Sequence, residues 1–419
     1  MPDDNKAGRM SAGVVIVGAG YAAGELAIRL RQGGYEAPVT LVGAETHLPY
    51  HRPPLSKNFL SGETPHEELL LRPEATYTKA GIAFVGGTKI TAIDRAAHSV
   101  ALSDGRILPY EKLVLATGGR ARKLPCPGAD LAGVHTLRTL DDVNAIRAYL
   151  QPGRRLVIIG GGYIGLEVAA VAVKQAVVVT VIEAAPRVLA RVAGMEISAF
   201  YEKAHRDAGV TVLTNQSVAA LTAMPEDPSH VGAVVLASGQ TLQADFVIAG
   251  VGLIANTELA EHAGLQVDNG IWVDEYCRTA DPDVLAIGDC SNHPSAFLGR
   301  RVRLESVPNA LEQARVAADT ICGKMVPYGA VPWFWSDQYD LKLQAVGLAD
   351  GHDQVVLRGA MDARSFVVFY LRAGVVIAAD AVNKPGEFMM ARRLVGGAIR
   401  PDIGHLADIN VPLKSLISS

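Results

Sequence analysis

Two short runs in this 419-residue sequence have the residue types and spacing to hold a pyrophosphate. The first is Gly18-Ala19-Gly20-Tyr21-Ala22-Ala23, and the second is Gly160-Gly161-Gly162-Tyr163-Ile164-Gly165. The leading glycine of such a run makes a tight turn. The next glycine lets a pyrophosphate approach the backbone, and a small third residue (Ala23, Gly165) lets helix and strand pack closely. The N-terminus of the helix that follows supplies free N–H groups and partial positive charge. A carboxylate lies near the end of each following strand, Glu45 and Glu183, where it can accept hydrogen bonds from ribose hydroxyls. Glu183 would repel a 2′-phosphate, which predicts NADH over NADPH; Arg187 lies nearby and would soften that preference. Two dinucleotide cradles in one chain suggest a fixed flavin in one and a diffusing nicotinamide in the other. FAD and NADH are therefore the expected cofactors, with the two sites required to face one another for hydride transfer.

The elements that must position these loops are legible around them. Val14–Val17 is a β-branched run that reads as a buried parallel strand, followed by helical spacing from Ala22 to Leu30 and a strand at Val39–Val42. The pattern restarts with a strand at Leu156–Ile159, a helix at Tyr163–Lys174 and a strand at Val177–Ile182. Strands running into glycine recur at Leu113–Gly118 and Asp245–Gly250, and Val284–Asp289 reads as a strand ending in an acid. After about Pro327 the texture changes to β-branched and aromatic runs such as Ser365–Tyr370, broken by turn residues. The expected fold class is α/β: two Rossmann-like dinucleotide-binding domains in the glutathione-reductase architecture plus a C-terminal α+β domain. The expected division is an FAD-binding domain from 1–118 and 246–326, an NADH-binding domain from 119–245 and a C-terminal domain from 327–419.

Composition excludes several other classes. Hydrophobic residues make up 49% and charged residues 20%, with a net charge of −4, which suits a globular chain and argues against a nucleic-acid binder. The start lacks an apolar signal core. The apolar stretch Leu156–Ile182 contains Glu167 and Lys174, so a membrane span is not expected. The four cysteines, Cys126, Cys277, Cys290 and Cys322, form no C-x-x-C pair and suit neither zinc nor an iron–sulfur cluster. No metal site is expected, and the thiols read as reduced in a cytoplasmic protein. Disulfide reductases of this architecture carry redox cysteines soon after the first βαβ unit. Here none precedes Cys126, so electrons should pass to something other than a protein disulfide.

The chain also resembles the class I ferredoxin reductases over nearly its whole length. The resemblance rests on Pro49–Lys57 with its Pro53-Pro54-Leu55-Ser56-Lys57 ending, Ala116-Thr117-Gly118-Gly119, Ile287-Gly288-Asp289-Cys290, the block from Glu305 to Ala314, and Pro332-Trp333-Phe334-Trp335-Ser336-Asp337-Gln338-Tyr339. It implies non-covalent FAD, NADH as donor, and a small [2Fe-2S] ferredoxin as acceptor that feeds a haem monooxygenase or a ring-hydroxylating dioxygenase. It further implies Gly18, Gly20, Tyr21, Ala22 and Ala23 at the FAD pyrophosphate, with Ile90 and Arg138 as adenine-side and ring-side contacts. Asp289 would meet the ribityl chain, Val307 the isoalloxazine, and Ala116, Thr117, Gly118, Gly288 and Ser306 would complete the FAD site. Tyr163, Ile164 and Gly252 would join the second cradle at NAD. Ala44 stands where the family often has an acid, so Glu45 inherits the ribose.

Lys57 and Glu167 resemble a pair that the family places beside flavin and nicotinamide, and they are the candidate catalytic residues. Their alternatives are a solvated loop lysine and a helix-surface carboxylate. Trp335 is expected at the flavin edge near the docking surface, with Arg315 and Lys384 as basic docking candidates; Trp333 also reads as a core aromatic. The expected protein is a cytoplasmic monomer. The competing functional readings are a rubredoxin or monodehydroascorbate reductase, and an NADH-sensing flavoprotein resembling apoptosis-inducing factor.

Overall fold

A computed structural model of the chain describes residues 12–417. The chain divides into two compact units. One comprises the chain through His51, Leu69–Arg120 and Ala255–Ala330; the other comprises Arg52–Glu68, Ala121–Ile254 and the chain from Val331.

The first unit is built on a seven-stranded sheet. Its strands run in the order Ile82–Val85, Val39–Val42, Gly13–Val17, Ile107–Leu115, Ser99–Leu102 and Ile90–Asp94, with Val284–Ala286 beside the end of Ile107–Leu115. The ladder around Gly13–Val17 is parallel, and all five residues of that strand are buried. Burial on both faces explains why its apolar run is continuous rather than alternating. The helix Tyr21–Gln32 extends one residue earlier and two later than the apolar spacing alone suggested, and buries Ala22, Ala23, Leu26, Ala27 and Leu30. It packs on the helix Val307–Ile321, whose Ala310, Ala314, Ala317 and Ala318 share its core. The expected strand Val284–Asp289 stops at Ala286 and gives way to a 3-10 turn, Gly288–Cys290. Gly288 takes a φ of +78°, which an extended strand does not permit.

The second unit repeats the pattern. Its parallel sheet runs Thr211–Leu213, Val178–Ile182, Arg155–Ile159, Phe246–Ala249 and Val134–His135. The helix Tyr163–Lys174 buries Leu166, Glu167, Val168, Ala169, Ala170 and Ala172, so the apolar stretch is strand, turn, helix and strand. Among the described residues no helix is long and apolar enough to cross a membrane. A separate antiparallel sheet forms from Trp333–Gln338, Leu341–Gly347, Val375–Val382, Ser365–Arg372 and Gln354–Ala360, with the helix Pro385–Gly396 packed on it. This sheet lies within the expected C-terminal segment 327–419. The segment Arg52–Glu68 contributes two short turns, Pro53–Ser56 and Asn58–Ser61, that pack on the helix Tyr163–Lys174.

Candidate functional site

In the first unit, Gly18 has a φ of +116°, and a Cβ there would lie 2.2 Å from the Ala116 carbonyl oxygen. Only glycine fits that turn. A Cβ on Gly20 would meet nothing within 4 Å, so the bare backbone faces open space. Gly20 is the N-cap of the helix Tyr21–Gln32; its first turn has no side-chain cap and no acidic residue. Unmatched N–H groups at such an end fit a pyrophosphate. Ala23, fully buried, occupies the close-packing position. Ala44 is exposed and offers no polar side chain, while Glu45 accepts a 2.6 Å hydrogen bond from the Tyr50 hydroxyl. Ile90 is buried opposite Leu102 in the same core cluster as Val17, so its side chain is a packing residue.

The far side of this cradle is held by the chain from Ala116 to Gly118. Thr117 Oγ1 donates to the Asn256 carbonyl at 2.7 Å, and Asn256 Nδ2 returns a bond to the Thr117 carbonyl at 2.9 Å. Ser306 is the N-cap of the helix Val307–Ile321, accepting from the Asn309 amide at 3.3 Å, which fixes where Val307 begins that helix. Gln313, on the same helix, is fully buried; its Oε1 accepts from the Gly288 amide at 2.6 Å and from the Ser291 hydroxyl at 2.9 Å. It thereby pins the turn that carries Asp289. Gln313 lies inside the Glu305–Ala314 block, and none of the expected site roles falls on it. Its signal is a long polar side chain at a helix position that the spacing turns inward.

In the second unit, Gly160 repeats Gly18: its φ is +111°, and a Cβ would lie 2.4 Å from the Gly250 carbonyl oxygen. The two amides do the same work, Gly18 N–H to Val42 at 2.8 Å and Gly160 N–H to Ile182 at 2.7 Å. A Cβ on Gly162 would meet nothing within 4 Å, whereas one on Gly165 would lie 2.2 Å from the Gly160 carbonyl oxygen. The helix Tyr163–Lys174 again starts without a side-chain cap or an acid. Ile164 is exposed, and Gly252 has a φ of +106° with open space beside it. Glu183 accepts from the Gly161 amide at 2.7 Å through Oε2 and from the Ala185 amide at 2.8 Å through Oε1. Arg187 is withdrawn from any softening role. Its guanidinium donates to the carbonyls of Ala193 at 2.8 Å and Ala190 at 3.1 Å, and to the Ser198 hydroxyl.

Lys57 and Glu167 meet in this second unit. Lys57 Nζ lies 2.7 Å from Glu167 Oε2 and donates to the Pro53 carbonyl at 3.1 Å. Glu167 is 4% exposed and also accepts from the hydroxyls of Ser56 at 2.5 Å and Ser336 at 2.6 Å. Glu167 is therefore not a surface carboxylate, and Lys57, with a side chain 16% exposed, is not a solvated one. Periodicity explains the encounter. Tyr163 and Glu167 are four apart on one helix face, and Phe334 and Ser336 are two apart on one strand face. The ring centroids of Tyr163 and Phe334 lie 4.6 Å apart, one turn before the Glu167–Ser336 bond. Removing one member of such a buried pair typically costs about 3–5 kcal/mol, because the other charge is left unanswered.

No thiol competes for the chemistry. All four cysteines are free, and burial pushes each thiol up from its ordinary value, Cys277 and Cys290 from full burial. A redox-active cysteine needs the opposite shift.

Residues 12–314 match the pyridine nucleotide-disulphide oxidoreductase family, and residues 333–417 match the reductase C-terminal family. The chain belongs to the pyridine nucleotide-disulphide oxidoreductase family. It is 48% identical over 409 residues to putidaredoxin reductase from Pseudomonas putida, covering 97% of each chain. It is also 48% identical to the 5,5′-dehydrodivanillate O-demethylase ferredoxin reductase subunit of Sphingobium sp., over 97% of this chain and 98% of that one. The crystal structure of the covalent putidaredoxin reductase–putidaredoxin complex is similar, with a TM-score of 0.94 and 47% identity, covering 97% of this chain and 98% of that chain. Both cradles lie within the matched residues 12–314, and all four cysteines are free.

The remaining expected residues fall as follows. Arg138 belongs to the second unit, ahead of the helix Leu140–Arg147; its amide donates to Asp142 at 2.8 Å and its carbonyl accepts from Arg52 at 2.6 Å. Trp335 lies in the second unit on the strand face opposite Ser336, its ring 5.6 Å from that of Trp333. Trp333 in turn lies 6.0 Å from Phe388 and carries the Arg392 guanidinium 5.2 Å from its centroid. Arg315 is clasped by Glu312 at 2.7 Å and Asp319 at 2.8 Å, which offsets its charge along its own helix. Lys384 Nζ lies 3.6 Å from Glu387.

Proposed function

We propose that this chain is an NADH-dependent, FAD-containing ferredoxin reductase that serves a [2Fe-2S] ferredoxin, which in turn supplies a haem monooxygenase or ring-hydroxylating dioxygenase. The observation that carries the reading is the pair of uncapped glycine-turn cradles in a chain whose thiols are all pushed up. When bound, FAD supplies the conversion of one hydride from NADH into single electrons for an iron–sulfur acceptor. The chain's own residues bind and orient. The first cradle holds a pyrophosphate with the amides after Gly20, Glu45 takes ribose hydroxyls, and Gln313 aims the Asp289 turn. The second cradle does the same for NADH with the amides after Gly162, while Glu183 selects against a 2′-phosphate. Glu167 holds the Lys57 ammonium, a cation suited to the negative charge of a reduced ring. Hydride transfer itself asks for no protein acid or base.

We assign ferredoxin docking to the neighbourhood of Trp335 and Lys384, with Arg315 a weaker candidate because two carboxylates neutralise it. Four unpaired thiols support a cytoplasmic location, and a monomer suffices for this chemistry. The test is an anaerobic titration: NADH bleaches the flavin band within seconds, and ferredoxin then restores it faster than rubredoxin or the ascorbate radical does. An unbleached flavin overturns the oxidoreductase reading, and a faster response to rubredoxin or the ascorbate radical overturns the choice of acceptor.

A further inference from the structure

Beyond Glu167 the polar contacts continue inward. Ser336 Oγ lies 2.6 Å from Glu167 Oε1, and Gln338 Nε2 lies 3.1 Å from Ser336 Oγ. His205 Nε2 lies 2.8 Å from Gln338 Oε1, and the Tyr339 hydroxyl lies 2.8 Å from His205 Nδ1. Ser336 and His205 are fully buried and Gln338 is 1% exposed, so solvent does not compete for these groups.

The direction of every bond follows from the first. A carboxylate oxygen only accepts, so Ser336 donates to Glu167 and must itself accept from the Gln338 NH2. That leaves Gln338 Oε1 facing His205, whose Nε2 must carry the proton. Burial pushes the His205 pKa down to about 4, so the ring is neutral near pH 7 and its Nδ1 accepts from Tyr339. All donors therefore point one way, toward Glu167. Three separate elements supply the groups: the helix Tyr163–Lys174, the helix Met195–Asp207 and the strand Trp333–Gln338.

Tyr339 adds an independent observation. It sits in the tight turn after that strand with a left-handed φ of +58°, where glycine or asparagine would be at ease. What a tyrosine supplies there is the hydroxyl on His205 and a ring 5.0 Å from the imidazole. The string is also not a proton wire, because a carboxamide does not pass a proton by simple exchange as hydroxyls do.

We propose that Ser336, Gln338, His205 and Tyr339 are positioning residues that lock the Glu167 carboxylate in place, and through it the Lys57 ammonium. The role in catalysis rests on the function proposed above; the string itself does not.

Two measurements on the FAD-loaded full chain test it. Nitrogen NMR of 15N-histidine-labelled protein reads the tautomer of His205. The expected result is a single Nε2–H form, which gives way to mixed tautomers in Gln338→Leu. Stopped-flow reduction by NADH reads the consequence. Ser336→Ala slows the hydride step about tenfold while the NADH Kd stays within about twofold, and Ser336→Thr, which keeps the hydroxyl, restores the rate. Mixed tautomers in the unsubstituted protein overturn the proposal. So does a Ser336→Ala protein, normal in circular dichroism and FAD content, that is reduced at the original rate. If the unsubstituted protein is not reduced by NADH at all, the proposed function fails, while the tautomer result still decides whether the string exists.

Discussion

Replacing Glu183 by glutamine probes coenzyme choice at the second cradle. Both carboxylate oxygens are in use, Oε2 on the Gly161 amide at 2.7 Å and Oε1 on the Ala185 amide at 2.8 Å. Glutamine has one acceptor and one NH2, so one of the two amides must face a donor. Losing a hydrogen bond to a charged group is worth about 1.5–3 kcal/mol. That loss falls on the protein's own loop; toward NADH the proposed ribose contact of residue 183 changes from charged to neutral, worth about 1 kcal/mol, which predicts a fall in kcat/KM of about fivefold, carried mainly by KM because that contact is the same in ground and transition states. For NADPH the sign reverses. Two unit charges about 6 Å apart at an effective dielectric of about 20 repel by about 3 kcal/mol, and Glu183→Gln removes that repulsion from the 2′-phosphate. NADPH still does not reach the original NADH value, because Arg187 is committed to Ala190, Ala193 and Ser198 and no cation takes over. The assay is steady-state ferricyanide reduction with each coenzyme, and because the two changes multiply the NADH/NADPH selectivity ratio should drop by about three orders of magnitude. A ratio unchanged in a protein with normal FAD content would refute the reasoning and place the discrimination elsewhere.

The glycines of the second cradle separate binding from folding. Gly162→Ala should fold normally and lose NADH affinity, since its Cβ enters open space, whereas Gly165→Ala should lower the melting temperature, since its Cβ lands 2.2 Å from the Gly160 carbonyl oxygen; circular dichroism and NADH titration distinguish the two. Asp380, buried with the Tyr370 hydroxyl donating to its carboxyl at 2.8 Å, is raised by burial from 3.8 to about 7. The unfolded chain loses that proton first, so Asp380 lowers stability as pH rises from about 4 to about 7 and adds no further change above. Asp380→Asn should therefore flatten that fall, read as melting temperature against pH relative to the unsubstituted protein. The comparison isolates Asp380 from His205 and His293, both held down to about 4 by burial, whose contribution to stability grows with pH in the same window. Raising ionic strength should slow reduction of the ferredoxin and leave NADH reduction of ferricyanide nearly constant, since only the former depends on protein–protein charge steering; equal sensitivity would remove charged docking.

The sequence spoke most clearly where function needs a local pattern. Both glycine turns, the strands before them and the helices after them stand where the spacing put them, because turn, cap and acid lie within some 25 residues of one another. Contacts between distant residues were harder to read. Ser336 and Glu167 are 169 positions apart, and His205 and Gln338 are 133 apart, so nothing in either local pattern announces their meeting. Arg187 looked available because it lies four residues after Glu183; only the folded loop reveals the carbonyls and hydroxyl that consume it. Ser306 read as a flavin contact, and its side chain caps a helix. Arg52–Glu68 joins the second unit through packing on the helix Tyr163–Lys174, a partnership that depends on tertiary shape rather than on periodicity.

Both cradle helices begin at a glycine that supplies no capping side chain, so each leaves amide protons bare at its first turn. A natural helix usually silences those protons with serine, threonine or aspartate, and a glycine in that place forgoes about a few tenths of a kcal/mol. The deficit is made good only while a phosphate is present. A resident flavin covers one end permanently, whereas a coenzyme that arrives and departs each turnover covers the other intermittently. On the function proposed above, the second cradle's unit must therefore stay folded through its own interior, with little help from the molecule it serves.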